Sequence, residues 1–228
     1  MISIWIIFGV FMLLSCIVGS TLKRKIKEYS RIPIGGGMSG AEIAQKMLSD
    51  SGISDVSVIC VEGELSDHYN PAKKTVNLSP DVYNGRNIAA AAVAAHECGH
   101  AVQHSKAYIW LQMRSSLVPV VSFTSRIVQW VLLAGIILLQ SFPQLLLFGI
   151  GLFAMTTLFS FITLPVEVDA SRRALAWLNT TGMTTADTYP KAKDALSWAA
   201  YTYVVAALAS LATLLYYIMI YMGGGRRD

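Results

Sequence analysis

The chain has 228 residues, 54% of them hydrophobic and only 14% charged, with a formal net charge of +4. Soluble domains carry about 25% charged residues, so the composition excludes an ordinary soluble enzyme and indicates a domain combined with membrane spans. The surplus of positive charge forms no basic stripe with interleaved aromatics, which argues against a nucleic-acid partner.

The first predicted element, Ile2 to Gly19, is apolar for about the 20 residues that a helix needs to cross a bilayer core. No basic residue precedes it and its apolar run is too long for an ordinary signal sequence, so it reads as a retained anchor. The cluster "KRKIKEYSR" follows, and the positive-inside rule assigns that side to the cytoplasm. "IGGGMSG" (Ile34 to Gly40) reads as a flexible stretch. Ser39 and Glu42 then spell a capping box that opens a short helix, with Gly52 as its end. "VSVICV" (Val56 to Val61) is predicted to be a buried strand. "KKTVNLS" (Lys73 to Ser79), after an Asn70-Pro71 turn, is predicted to be a second, more exposed one, the two forming a small sheet or hairpin. Ser79-Pro80-Asp81 starts a brief helix that Asn84-Gly85 stops, and Asn87 caps a longer helix from Ile88.

That helix carries "AAHECGHAVQH". Its run "IAAAAVAA" is apolar all round but too short to span, and Arg86 and Lys106 bound it, so it belongs in the interior of a soluble unit. Leu117 to Leu139 and Leu145 to Leu164 are the second and third predicted spans, joined by Ser141-Phe142-Pro143-Gln144 as a tight hairpin. Val166 to Thr181 continues as helix to Gly182, and a last helix from near Pro190 runs into the fourth span, Trp198 to Met222. Four crossings put 22–116 and 165–197 on one side, with 15 of the 18 Lys and Arg residues; Arg126 lies within a span and Arg226 and Arg227 at the far end. The expected organisation is an anchor at 1–21, a cytoplasmic region at 22–116 that carries this motif, a transmembrane hairpin at 117–164, a cytoplasmic helix at 165–197, and a last span and tail at 198–228. Three cysteines without close spacing suggest no disulfide scaffold; Cys16 and Cys60 read as small buried hydrophobes.

His96 and His100 are four apart, so on a helix they share one face and can grip one metal ion. Glu97 is offset by about 100°. In this H-E-x-x-H pattern two imidazoles hold zinc and the glutamate, kept off the metal, takes a proton from the water that the metal activates. Catalytic zinc sites use three protein ligands and an open position. A metzincin would have a histidine where Lys106 stands, and an intramembrane protease would carry the motif inside a span, so both are excluded. The third ligand expected is Glu167 of "LPVEVDASRRAL", which follows the third span on the same side as His96. Cys98 points away from the metal and packs, and Gly99 admits a close neighbour. His104 extends the histidine face by a turn, as a candidate for oxyanion or substrate contact or simply as a polar residue at an exposed helix end. His68 and Tyr69, in the loop before the second strand, are weaker candidates. The edge of that strand could pair with an extended substrate, with Asn77 along it.

"SPDVYNGRNIAAAAVAAHECGHAVQH", "LPVEVDASRRAL" and "AYTYVVAALASL" resemble the YugP-type family of bacterial membrane zinc peptidases over nearly the whole chain. The resemblance implies a mostly α membrane protein with four transmembrane helices and a small α+β gluzincin-like zinc peptidase domain on the cytoplasmic face of the bacterial plasma membrane. It further implies Zn2+ held by His96, His100 and Glu167, with Glu97 as base. Related HtpX-like and CAAX prenyl proteases carry an aspartate four residues after the glutamate. Here Asp169 is only two after Glu167 and nearly opposite on a helix, which leaves open a role as support for a zinc histidine or an exchange of roles with Glu167. The expected activity is endopeptidase cleavage of membrane or membrane-proximal protein or peptide substrates. The competing class is a non-enzymatic membrane protein with structural or sensory zinc; Glu97 discriminates, because a structural site needs no base.

Overall fold

A computed structural model describes residues 4–63 and 66–224. Ile2, Arg226 and Arg227 lie outside the described residues. In chain order the elements are helix α1 (Ile4–Tyr29), helix α2 (Gly40–Asp50), strands β1 (Ser57–Cys60), β2 (His68–Asn70) and β3 (Thr75–Leu78), and helices α3 (Pro80–Asn84), α4 (Ile88–Ser105), α5 (Ile109–Ile137), α6 (Pro143–Thr180) and α7 (Tyr189–Gly224). The chain divides into two compact units: the described residues of Met1–Ile17, Gln112–Leu164 and Thr202–Asp228 form one, and Val18–Leu111 with Pro165–Tyr201 the other.

Four helices, α1, α5, α6 and α7, are long and apolar enough to cross a membrane. In the first unit Trp5, Phe123, Trp130 and Ile137 are 66 to 77% exposed. A soluble surface rarely carries contiguous apolar patches on this scale, whereas a helix satisfies its own backbone and can present such side chains to lipid. The predicted hairpin is present, with its connection at 138–142. Pro143 opens α6, where a missing N–H costs nothing. A Cβ on Gly135 would lie 2.6 Å from Leu146 Cα, so α5 and α6 meet backbone to backbone. Val128, Leu132, Leu146 and Ile150 fill this contact. Thr157 and Ser210 join α6 to α7 by a 2.7 Å hydrogen bond, the kind of polar link that lipid-embedded helices use.

The second unit is built around α4. Both expected caps are present: the Ser39 amide donates to Glu42 Oε2 at 2.6 Å, the Glu42 amide returns to Ser39 Oγ at 3.3 Å, and the Ala90 amide donates to Asn87 Oδ1 at 2.9 Å. Gly52 and Gly182 hold φ of +72° and +70° where α2 and α6 end, a region that only glycine enters freely. The alanine run of α4 is buried against Ile43, Met47, Val76, Leu78 and Leu178. Small side chains there replace a conventional apolar stripe, because all of the run from Ile88 to Ala95 except Val93 is buried.

The sheet departs from expectation. β3 is central, parallel to β1 and antiparallel to β2. Its residues Val76, Asn77 and Leu78 are buried while β1 is largely exposed, the reverse of the predicted order. Burial follows position in the sheet: a strand flanked on both edges and packed on α2 and α4 loses its solvent, and an apolar edge strand does not. Cys60 is therefore exposed on β1, and Cys16 is exposed on α1, where the surrounding side chains are apolar. The segment 68–70, read as loop, is β2. Gly35–Gly37, read as flexible, forms a 3₁₀ turn with Gly36 and Gly37 at positive φ, pinned by Arg86, which donates to the Gly37 carbonyl and to Glu42 Oε2.

A close backbone contact in this unit joins α4 to α6. A Cβ on Gly99 would stand 2.6 Å from the Ala170 carbonyl oxygen and 3.1 Å from its Cα. Gly99→Ala must push the two helix backbones apart, so it should cost about 1–3 kcal/mol and lower the thermal midpoint measured by tryptophan fluorescence in detergent. Gly151→Ala, with open space at its Cβ, should not lower it.

Candidate metal centre

α4 supplies His96 and His100 on one face, and their rings meet edge to face with centroids 4.8 Å apart. α6 supplies Glu167, one turn before Ala170 and so on the face that approaches Gly99. Glu167 Oε2 lies 3.3 Å from His96 Nε2 and 3.6 Å from His100 Nε2. The ligand atoms of the three residues all fall within 4.8 Å of one another, and among the described residues this is the one group of its kind. Tetrahedral zinc with bonds of about 2.0–2.2 Å separates neighbouring ligands by roughly 3.3–3.6 Å. The donor set and the spacing to Glu167 fit that ion.

The outer side of each imidazole is also engaged. Ser171 Oγ is 3.1 Å from His96 Nδ1, and Gln103 Oε1 is 3.1 Å from His100 Nδ1. A metal at Nε2 requires the proton on Nδ1, and in both rings an oxygen stands where that proton points. The Gln103 amide is fully buried and its orientation is determined: Nε2 donates to the Val166 carbonyl at 2.8 Å and to Asp169 Oδ2 at 2.9 Å. A flipped amide would set its oxygen against two acceptors. Arg173 Nε closes the chain on Asp169 Oδ2 at 2.6 Å. Burial by itself would lower the His100 pKa, but the hydrogen bond to Glu167, the charges of Glu97 and Glu167 and the bond to Gln103 outweigh it, and the imidazole is held above its ordinary value.

Glu97 is buried beside the cluster without belonging to it, and the Tyr69 amide donates to its Oε2 at 3.0 Å. Tyr69 OH lies 2.9 Å from Nδ1 of the exposed His104. Asn77 is buried, with its amide donating to the His68 and Thr75 carbonyls. β3 has no open edge; the outer edge nearer Glu97 is that of β2. Asp169 turns away from the histidine Nε2 atoms toward Gln103 and Arg173. Cys98 faces the Ala44 carbonyl in the core, and burial together with the Glu97 charge pushes its thiol pKa far up, so it is an inert packing residue.

Gln103 and Ser171 were missed in the sequence, although each carried a signal. Gln103 is three residues after His100 and Ser171 four after Glu167, on the same helical faces. The Tyr69 contact with Glu97 joins residues 28 apart and left no such trace.

The fold and site define a class of protein: four helices long and apolar enough to cross a membrane, with a helix-borne cluster of two histidines and a carboxylate that could hold a metal ion. The sequence model of the family described as "Putative neutral zinc metallopeptidase" matches residues 4–222, and the chain belongs to that family. It is 41% identical over 205 residues, 89% of each chain, to the Bacillus subtilis (strain 168) protein named "Putative membrane protease YugP". No solved structure matches the chain. The resemblance read from the sequence is borne out.

Gln103→Leu keeps the volume and removes the acceptor for His100 Nδ1–H. Zinc affinity, titrated by isothermal calorimetry in detergent, should weaken about 10- to 100-fold. Because protons compete for the raised His100 imidazole, wild-type affinity should begin to fall, as pH is lowered, above the ordinary histidine value of about 6.5. An unchanged affinity in the variant would show that the Gln103 contact does not orient the ligand.

Proposed function

We propose that the protein is a membrane-anchored zinc endopeptidase, with His96, His100 and Glu167 as metal ligands and Glu97 as general base. The observation that carries this reading is the convergence of two Nε2 atoms on one carboxylate oxygen, with a second buried carboxylate alongside that stays out of the ligand set. A structural zinc would call for four protein ligands and no base; three ligands beside Glu97 support catalysis. Zinc held there would lower the pKa of a water to about 7 and polarise the scissile carbonyl.

The chain's own groups do the rest. Ser171 and Gln103 fix the imidazole tautomers, and the Tyr69 amide holds Glu97 on the side of β2. Glu97 accepts the proton of the attacking water and returns it to the leaving amine. An extended peptide would lie along the outer edge of β2, pairing with backbone groups as an added strand. Protein or peptide substrates in or near the membrane suit a site whose helix α6 continues as an apolar segment. Placement of the site in the cytoplasm is supported by the basic residues of 22–116 and 165–197.

Glu97→Gln should bind zinc normally and lose peptide cleavage, whereas His96→Ala should lose both. Metal content and cleavage of a casein-type substrate would be measured on the same preparations; turnover by Glu97→Gln would remove the base assignment. Reporter fusions after residues 60 and 185 should both report cytoplasm and a C-terminal fusion the outside. Opposite sides for the first two would end the four-span topology.

A further inference from the structure

We propose that the groove between α6 and α7 in the second unit binds the headgroup of an anionic phospholipid. The groove encloses about 340 Å³, within the range of roughly 300–1,000 Å³ typical of ligand pockets. Arg172 lines it from α6 and Lys193 from α7, and no acidic side chain lines it. Both cations are exposed, and among the described residues neither enters an ion pair. Two cations facing one cavity without a counter-charge repel each other unless an anion joins them. The Ser171 and Ser197 hydroxyls in the same lining offer further donors to phosphate oxygens.

The order of side chains along the groove selects a lipid over other anions. Val168 and Ala200 line the end where each helix adjoins its apolar segment, four residues past Leu164 on α6 and immediately before Tyr201 on α7. Arg172 is four residues from Val168 and Lys193 seven from Ala200, or about 6 Å and about 10 Å along the axes. The two helices run in opposite chain directions relative to their apolar segments, yet both place apolar groups at the membrane-adjoining end and the cation one to two turns further. A phospholipid has the same order, acyl chain and then phosphate. This proposal rests on the membrane reading of the four helices and does not depend on zinc or on cleavage.

The test is native mass spectrometry of the full chain in detergent, titrated with phosphatidylglycerol or with phosphatidylcholine of identical acyl chains. Each Lys or Arg near an anionic headgroup contributes about a fivefold preference, so the wild type should favour phosphatidylglycerol by about 25-fold. Arg172→Gln and Lys193→Gln should each lose about fivefold of it, and the double variant should bind both lipids alike. Lys73→Gln, an exposed cation outside the groove, should behave as wild type. The substitutions are at exposed helix positions and glutamine is a good helix former, so circular dichroism should show the variants folded. Undiminished preference in the double variant overturns the proposal. So does displacement of the lipid by equimolar inorganic phosphate, which would mark a bare anion site, or by an acidic peptide, which would mark a substrate groove.

Discussion

The candidate metal centre depends on the contact of Gly99 with the backbone of α6 at Ala170. Helices that meet through side chains pack with axes about 8–10 Å apart, and a glycine at the crossing lets them come closer. Glu167 sits one turn from Ala170, so this approach brings its carboxylate to two imidazoles on the neighbouring helix. His96 and His100 lie three residues before Gly99 and one after it. The two-residue interior of the motif is thus the joint: Gly99 receives α6, and Cys98 turns into the core against α2.

Around that joint, a chain of hydrogen bonds fixes the rings. His100, Gln103, Asp169 and Arg173 form one line across the interface, with the Val166 carbonyl as a second acceptor for the same amide. Every polar atom of Gln103 has a partner, and a buried amide in that state orients its neighbours strongly because any other arrangement leaves a group unpaired. Asp169, nearly opposite Glu167 on α6, acts on His100 only through this amide. On the other side Ser171 serves His96 and also lines the groove between α6 and α7, so the candidate metal site and the groove share a wall. Arg173 additionally lies over the Tyr108 ring, 5.7 Å from its centroid, an arrangement that holds a guanidinium in place.

All four apolar helices have residues in both units: α1, α5, α6 and α7 are each a single unbroken helix, α6 passing through Pro165. A continuous helix keeps its backbone groups paired as its surroundings change from lipid to protein. At the protein end of α1, Tyr29 donates to Asp194 at 2.6 Å and Lys25 pairs with the same carboxylate at 3.0 Å, fastening α1 to α7.

What is local was legible in the sequence. The caps at Ser39 and Asn87, the glycine stops at 52 and 182, four apolar helices, and the pairing of His96 with His100 all follow from helical periodicity and from backbone groups seeking partners within a few residues. The placement of Glu167 near the histidines followed from counting crossings, and Gly99 from its place inside the motif. The order of the sheet did not follow, because which strand is buried depends on what covers it, and an apolar run such as 56–61 reads the same at an edge or at the centre. Nor did the Tyr69 hold on Glu97, since residues 28 apart meet only once the chain has folded. Periodicity gives each helix a face, but the distance between two faces is set by packing, and the tertiary structure alone decided that Glu167 lies 3.3 Å and 3.6 Å from the two imidazoles.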